Sequence, residues 1–119
     1  MKKEFETKDS GEREEYATGA RRDIQDGKPR YDLIPPLALH RVAALYARGA
    51  KKYGESNWEK GIPAKRMVAS MLRHAYQYQM GERDEDHLAA VVFNAMGIMH
   101  FEEVGREDLF DLPKHVETS

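Results

Sequence analysis

The sequence has 119 residues, a formal net charge of −2 and no cysteine. This slight acidity argues against a general nucleic-acid binder, which normally carries a large basic excess. The missing thiols exclude disulfides and thiolate metal sites. There is no signal peptide and no apolar run near the roughly eighteen residues of a membrane span, so we expect a cytoplasmic protein without membrane contact. A core this small is often completed by a further subunit, which favours a homo-oligomer.

The first part of the chain lacks helical periodicity. Residues 1–17 are charged and almost without apolar positions, which predicts a disordered arm. Residues 18–36 contain helix-breaking glycines and prolines together with Tyr31, Leu33 and Ile34. This mixture predicts an irregular but ordered strap that lies on the folded domain.

Three helices are expected in the remainder. The first runs from Pro36 to about Tyr53, because proline suits a first helical turn and Gly54 is a natural stop. The second covers residues 63–81 and the third residues 84–104. No strand signal is convincing. The predicted fold class is therefore all-α, a small helical bundle in which the second and third helices form an antiparallel hairpin after the strap.

Apolar side chains recur at helical spacing in all three helices. We assign to the core the following stripes: Leu37, Val42, Leu45, Tyr46 and Gly49; Met67, Val68, Met71, Leu72, Ala75 and Tyr78; and Leu88, Val92, Ala95 and Met99, broadened by Val91, Ile98 and Phe101. Gly49 costs helix stability relative to alanine, so it is expected to mark a close approach of a helix or a ligand. We place one domain at residues 18–104 and a polar tail at 105–119, in which Leu109, Phe110 and Leu112 can dock.

A polar seam is predicted inside the hairpin. His74 of the second helix lies opposite the third helix near His87 and Asn94, and Ser70 lies one turn before His74 on the same face. One interpretation is a catalytic set of His74, His87 and Asn94. The other is a group of satisfied buried polar side chains that fix helix register.

Carboxylates near the third helix are candidate metal ligands. Asp84, Asp86 and Glu103 could hold Mg²⁺ or Mn²⁺, which accept oxygen ligands. A second grouping joins Asp86 to His74 and His87, although no tight spacing such as His-x-x-x-His occurs. A solvated acidic face is the alternative for Glu103.

Cations and aromatic side chains alternate in the strap and at the end of the first helix. Guanidinium groups match phosphate geometry and aromatic rings can stack on a base, so this pattern predicts binding of a nucleotide. The alternative for Trp58, the single tryptophan, is a cap on a small core. The predicted nucleotide-binding residues are Arg21, Arg22, Lys28, Arg30, Tyr31, Lys52, Tyr53, Asn57, Trp58 and Arg73.

Several ordered motifs resemble one known family. They are Thr18-Gly-Ala-Arg-Arg-Asp23, Gly27-Lys-Pro-Arg-Tyr-Asp-Leu-Ile-Pro-Pro36, Gly49-Ala-Lys-Lys-Tyr-Gly54, Asn57-Trp58, Lys60-Gly-Ile-Pro63, Ser70-x-x-Arg73-His74, Gly81-x-x-Asp84-x-Asp86-His87-Leu88, and Asn94. Together they resemble the dATP/dGTP diphosphohydrolase N-terminal domain over about residues 18–103. The resemblance implies a phage or prophage protein in the host cytoplasm that removes diphosphate from a purine deoxynucleoside triphosphate with Mg²⁺ or Mn²⁺.

The sequence departs from the related MazG-like enzymes, which are oligomeric helical bundles. Those enzymes carry Glu-x-x-Glu on one helix and Glu-x-x-Asp on the next. Here Glu82-x-x-Glu85 falls on a predicted turn, and none of the three predicted helices contains Glu-x-x-Asp. The resemblance therefore supports nucleotide binding more directly than hydrolysis.

Three functions remain open from the sequence. The first is a metal-dependent purine nucleoside triphosphate diphosphohydrolase. The second is a non-enzymatic protein that sequesters a nucleotide or a nucleotide immune signal, in the manner of an anti-defence protein. The third is a helical adaptor for another protein. Nucleotide handling ranks first, because several motifs agree on it.

Overall fold

The structure, a computed structural model, describes residue 5 and residues 7–114. The predicted arm at 1–17 and the tail at 105–119 therefore lie partly outside the described residues. Two compact units are present, with the boundary between Ile34 and Pro35. The protein is mostly helical, as predicted. No helix among the described residues is both long and apolar enough to span a bilayer.

The first unit contains a short antiparallel hairpin of β1 (Arg13–Glu15) and β2 (Arg21–Asp23). Its register places Arg13 opposite Asp23, and Glu14 opposite Arg22, so opposite charges face each other across the strands. The expectation of no strand was wrong here. Six charged residues in two three-residue strands give no apolar alternation, which is the signal that reveals a strand in sequence.

The second unit consists of α1 (Pro36–Tyr53), α2 (Ala64–Gln79) and α3 (His87–Glu103). The predicted bounds of α1 are confirmed. The third helix begins three residues later than predicted, because Asp86 is its N-cap and its carboxylate accepts a hydrogen bond from the Ala89 amide at 3.1 Å. α3 packs against both other helices.

The core lies where α2 and α3 meet the segment that follows α3. Met67, Phe101 and Leu109 are buried together, and four side chains pack around them: Trp58, Ile62, Ile98 and Phe110. The predicted docking of Leu109 and Phe110 is thus confirmed. Asp111 holds the segment in place, since its carboxylate accepts a hydrogen bond from the Lys65 amide in the first turn of α2 at 2.8 Å.

The stripe of Leu88, Val92 and Met99 assigned to the core was wrong, whereas Phe101 and Ile98, which broadened it, do pack in the core. The buried face of α3 contains His87, Ala89, Ala90, Asn94, Gly97 and Phe101. In contrast, Leu88, Val92 and Met99 are 38%, 42% and 56% exposed. Nearly every turn of α3 is apolar on several sides, so periodicity alone could not tell which side packs.

The close approach expected at Gly49 occurs instead at Gly97. A Cβ built on Gly49 would have no neighbour within 4 Å. A Cβ on Gly97 would collide with the terminal methyl group of Met67. Leu37, Leu72, Ala75 and Tyr78, which were also assigned to the core, are exposed. The α2–α3 contact therefore depends on Gly97, which the predicted apolar stripe did not include.

Candidate functional site

A cleft of about 1300 Å³ opens in the second unit, between the helices and the segment that joins α1 to α2. All three helices contribute side chains to it. Its polar and aromatic lining residues are Tyr46, Arg48, Tyr53, Glu55, Asn57, Trp58, Arg66, Ser70, His74, Arg83, Asp84, Glu85, Asp86, Phe93 and Asn94. The cleft therefore collects both signs of charge beside an aromatic wall.

Three arginines line the cleft, and the sequence analysis missed all three. Arg83 donates to the carbonyl oxygens of Tyr78 and Glu82 and lies over the Tyr78 ring. Arg48 and Arg66 form no ion pair with any described carboxylate. A signal for Arg66 did exist, because it precedes Ser70 and His74 at four-residue spacing and so shares their face of α2.

Aromatic side chains also line the cleft and form an aromatic wall of Tyr46, Trp58 and Phe93. The Tyr46 ring packs against Phe93 with centroids 4.8 Å apart and meets Trp58 edge-on at 6.3 Å. Burial raises the pKa of Tyr46, so its phenol stays neutral at physiological pH. Trp58 also packs on the hydrophobic core. It therefore serves as the predicted core cap and lines the cleft as well.

Two histidines meet between α2 and α3, and one of them, His74, lines the cleft. His74 of α2 and His87 of α3 are buried, and their Nδ1 atoms are 2.9 Å apart. His87 Nε2 in turn lies 2.9 Å from the Asp84 carboxylate. Burial, followed by the nearby charge of Arg73, lowers the pKa of His74, so its imidazole is neutral near pH 7. A neutral imidazole can accept a proton or bind a metal ion.

The remaining members of the predicted seam lie one and two turns away. The Asn94 amide nitrogen donates to the Ala90 carbonyl oxygen at 2.8 Å and lies 3.5 Å from the Ser70 hydroxyl. Asn94 is buried like the histidines, and all the seam residues lie between α2 and α3. The structure thus brings the predicted set of His74, His87 and Asn94 to one interface.

The predicted metal ligands do not form one group. Glu103 ends α3, about 24 Å along the helix from His87 at 1.5 Å per residue. Asp86 is engaged by Arg41, whose guanidinium donates two hydrogen bonds of 2.9 and 2.6 Å and holds the Asp86 pKa at about 2. Two other groups bring ligand atoms within 4.8 Å of one another: His74, Glu85 and His87, and Glu82, Asp84 and His87.

The predicted nucleotide-binding residues are divided among several places. Tyr53, Asn57 and Trp58 line the cleft, whereas Lys52 and Arg73 are exposed residues of α1 and α2 outside its lining. Five belong to the first unit, which is described separately: Arg21, Arg22, Lys28, Arg30 and Tyr31. Within that unit Lys28 pairs with Asp23, and Arg30 pairs with Asp32.

The second unit is thus an all-α module with a cleft that combines free guanidinium groups, aromatic rings and a histidine–carboxylate corner. The family model described as dATP/dGTP diphosphohydrolase, N-terminal, matches residues 18–109. The chain belongs to this family, as the motifs in its sequence indicated.

A relative from Salmonella phage PMBT28, named dATP/dGTP diphosphohydrolase, is 33% identical over 64 residues. The match covers 54% of this chain and 21% of that protein, so the chain spans about a fifth of the relative's length. No solved structure matches the chain significantly.

Proposed function

We propose that this protein handles purine deoxynucleoside triphosphates in the cleft of its second unit, and that it hydrolyses them to a monophosphate and diphosphate. The observation that carries the proposal is the pair Arg48 and Arg66, which line the cleft and form no ion pair with a described carboxylate, although the charge of Arg48 contributes to the lowered pKa of Asp86. Free guanidinium groups in a concave site favour an anionic ligand. The family to which the chain belongs supplies the class of that ligand.

The aromatic wall supports a nucleotide rather than a simple polyphosphate. Tyr46, Trp58 and Phe93 present ring edges and faces to the cleft, and Asn57 adds an amide that can pair with a base edge. Stacking on such rings stabilises a base by roughly 1–3 kcal/mol. In this proposal the phosphates and the ion that accompanies them would lie near the arginines and the histidine–carboxylate corner.

Hydrolysis in this site requires a water molecule that attacks the α-phosphorus. The bond between that phosphorus and the bridging oxygen breaks, the diphosphate leaves with the bridging oxygen, and the water proton passes to a base. His74 is suited to accept this proton because its imidazole is neutral and lines the cleft. Asn94 lies two turns further along α3 from the histidine pair and would orient the water or a phosphate oxygen.

A divalent ion, Mg²⁺ or Mn²⁺ in the expectation from the sequence, would neutralise phosphate charge and polarise the attacked phosphorus. Two donor groups lie beside the cleft, His74 with Glu85 and His87, and Glu82 with Asp84 and His87, and their mixed nitrogen and oxygen ligands suit Mn²⁺ better than Mg²⁺. Asp84 keeps its carboxylate anionic because the hydrogen bond from His87 lowers the Asp84 pKa.

A sequestering protein is the second candidate function. The observation in its favour is that no described helix carries the Glu-x-x-Glu and Glu-x-x-Asp pair of the MazG-like enzymes. Such a protein would hold a nucleotide or nucleotide immune signal through the same arginines and rings, and would release it unchanged.

The proposal includes a homo-oligomer. Leu88, Val92, Ala95 and Met99 follow one another at spacings of four, three and four residues, which is the pattern of a helix–helix seam. Three of these four side chains are exposed on α3. A second copy can cover the stripe by placing its own α3 against it.

Native mass spectrometry of the full chain tests the function directly. The purified protein is incubated with dATP, dGTP, dCTP and dTTP, each with Mg²⁺ or Mn²⁺, and protein and small molecules are analysed together. We expect monophosphate and diphosphate from the purine nucleotides. If intact nucleotide stays bound at a fixed stoichiometry and no product forms, the protein sequesters nucleotide and does not hydrolyse it. If neither product nor bound nucleotide is found, the proposal of nucleotide handling is overturned.

A pair of neighbouring variants assigns the result to the cleft. Arg66→Ala removes a lining guanidinium, and we expect it to lower nucleotide affinity or turnover by at least about tenfold. Lys65→Ala removes the same charge from an exposed residue outside the lining and serves as the control. Equal effects of the two variants would contradict the assignment of the cleft.

A further inference from the structure

The contact between His74 and His87 has an unusual geometry for two imidazoles. Both rings direct the same atom, Nδ1, at each other across 2.9 Å, and the two residues are 7% and 2% exposed. Without an ion, one Nδ1 must carry a proton and the other must accept it. The same arrangement places two nitrogen lone pairs where they can share one cation.

A carboxylate completes this arrangement from the cleft side. Glu85 lies in the turn between α2 and α3, and one of its carboxylate oxygens is within 4.8 Å of a ring nitrogen of each histidine. Its side chain is exposed and lines the cleft, so an ion held here would be accessible to a ligand in the cleft.

Asp84 gives one of the histidines a fixed orientation. The Asp84 carboxylate lies 2.9 Å from His87 Nε2, and His87 has a fully buried side chain. When Nε2–H donates to this carboxylate, the Nδ1 of His87 is left as a lone pair that faces His74. A histidine that binds a metal through one nitrogen usually donates its other N–H to such a carboxylate.

We propose that His74, His87 and Glu85 form a binding site for one first-row transition ion, of the class of Mn²⁺, Co²⁺, Ni²⁺ or Zn²⁺, and that Asp84 is the positioning residue for His87. Two imidazole nitrogens and one carboxylate oxygen suit these ions. Mg²⁺ favours oxygen ligands and near-ideal octahedral geometry, so it is disfavoured here. On ion binding the His74 proton moves from Nδ1 to Nε2, and no change in net protonation is needed. The ion-bound His74 then has no free nitrogen, so it can serve as the base proposed for hydrolysis only when no ion occupies this inner site.

A competing arrangement uses the outer acids. Glu82, Asp84 and His87 also have ligand atoms within 4.8 Å of one another, but both carboxylates are exposed and only one nitrogen takes part. An ion in that group would need Nε2 of His87 and would break its hydrogen bond to Asp84. The inner group uses two buried nitrogens and keeps that bond, which is why the geometry favours it.

Ion binding to the full chain without nucleotide tests the proposal. The protein is first treated with a chelator and then titrated with Co²⁺, Zn²⁺, Mn²⁺ and Mg²⁺ by calorimetry, with the visible absorption of Co²⁺ as a report of its ligands. We expect one ion per chain and at least about tenfold tighter binding of Zn²⁺ or Co²⁺ than of Mg²⁺. Absence of binding, or equal affinity for Mg²⁺, would overturn the site.

Variants separate the inner group from the outer one. Glu85→Gln changes an exposed side chain and should fold normally, and we expect it to weaken Co²⁺ binding at least about tenfold and to change the Co²⁺ spectrum. Asp84→Asn should weaken binding by about 10–100-fold. Glu82→Gln is the matched control and should leave affinity and spectrum unchanged. Loss of binding in Glu82→Gln with retention in Glu85→Gln would assign the ion to the outer acids.

His74→Gln tests the second imidazole and is accompanied by a thermal melt, because the residue is buried. A folded His74→Gln protein that still binds Co²⁺ with the original spectrum would overturn the proposal. The site goes beyond the proposed hydrolysis, and no nucleotide enters these titrations. Failure of ion binding is therefore distinguishable from failure of the nucleotide proposal.

Discussion

The two long faces of α3 differ in a way that hydrophobic burial alone does not explain. The face toward α2 contains His87, Asn94 and Gly97, which are buried although two of them are polar and the third has no side chain. The outer face contains Leu88, Val92 and Met99, which are exposed. Burial of polar side chains beside exposed apolar ones on one helix is the reverse of the usual preference.

We propose that this difference reflects two tasks, with the inner face serving a site and the outer face a partner. Buried polar groups cost free energy unless they are hydrogen-bonded, and the described side chains of the seam are all satisfied. The outer stripe leaves apolar area in water, which a second subunit can recover at about 25 cal/mol per Å². Substitutions on one face leave the other unchanged, so the two roles can be tested separately.

The largest effect on stability is expected when a side chain is added at Gly97, on the inner face of α3. Gly97→Leu places a side chain where even a Cβ meets Met67, and we expect a loss of about 1–3 kcal/mol in the free energy of unfolding. Urea denaturation followed by circular dichroism measures it. Gly49→Ala is the control, because its Cβ has no neighbour within 4 Å, and it should stabilise α1 by up to about 1 kcal/mol. Similar losses in both variants would contradict the assigned packing.

The next effect concerns the outer face. Val92→Glu puts a charge in the centre of the exposed stripe, and we expect it to raise the dissociation constant of the oligomer by at least about tenfold while the helix content is unchanged. Light scattering after gel filtration gives the mass. Leu37→Glu makes the same change at an 84% exposed residue of α1 and should leave the mass as it is. A monomeric wild-type protein would show that the stripe is not a self-contact.

The smallest effect on stability is expected from replacing Asn94, a polar side chain of the inner face. This replacement also tests most directly whether the inner face is a site. Asn94→Leu keeps the branched shape of the side chain, although leucine is larger, and removes a hydrogen bond to the Ala90 carbonyl, so the free energy of unfolding should change by no more than about 1–2 kcal/mol. Nucleotide affinity or turnover should fall nonetheless, because the amide lines the cleft. If stability collapses by several kcal/mol, Asn94 fixes helix register, which was the alternative interpretation of the seam.

Some parts of this site could be predicted from the sequence. His74, His87 and Asn94 were placed together because helical geometry fixes which residues share a face once the turn of a hairpin is located. The start and end of α1 followed from proline and glycine for the same local reason. The roles of these site residues stay predictions.

Other parts could not be predicted because they depend on which elements meet. Arg48 and Arg66 belong to different helices, and only packing brings them to one cleft. Asp86 was grouped with possible metal ligands, but Arg41 of α1, 45 residues away in sequence, engages its carboxylate. Glu85 was passed over because its neighbours Asp84 and Asp86 are chemically similar, and only its position in the turn directs it toward the histidines.

By itself the sequence determined the helices, the polar seam and the family, since these depend on local propensity, on periodicity and on ordered motifs along one chain. The tertiary structure decided which face of α3 is buried, which arginines line the cleft, and which carboxylate joins the histidine pair. The physical reason lies in α3 itself. It is apolar almost all round, so its own sequence does not select a packing side, and the steric fit of Gly97 to Met67 does.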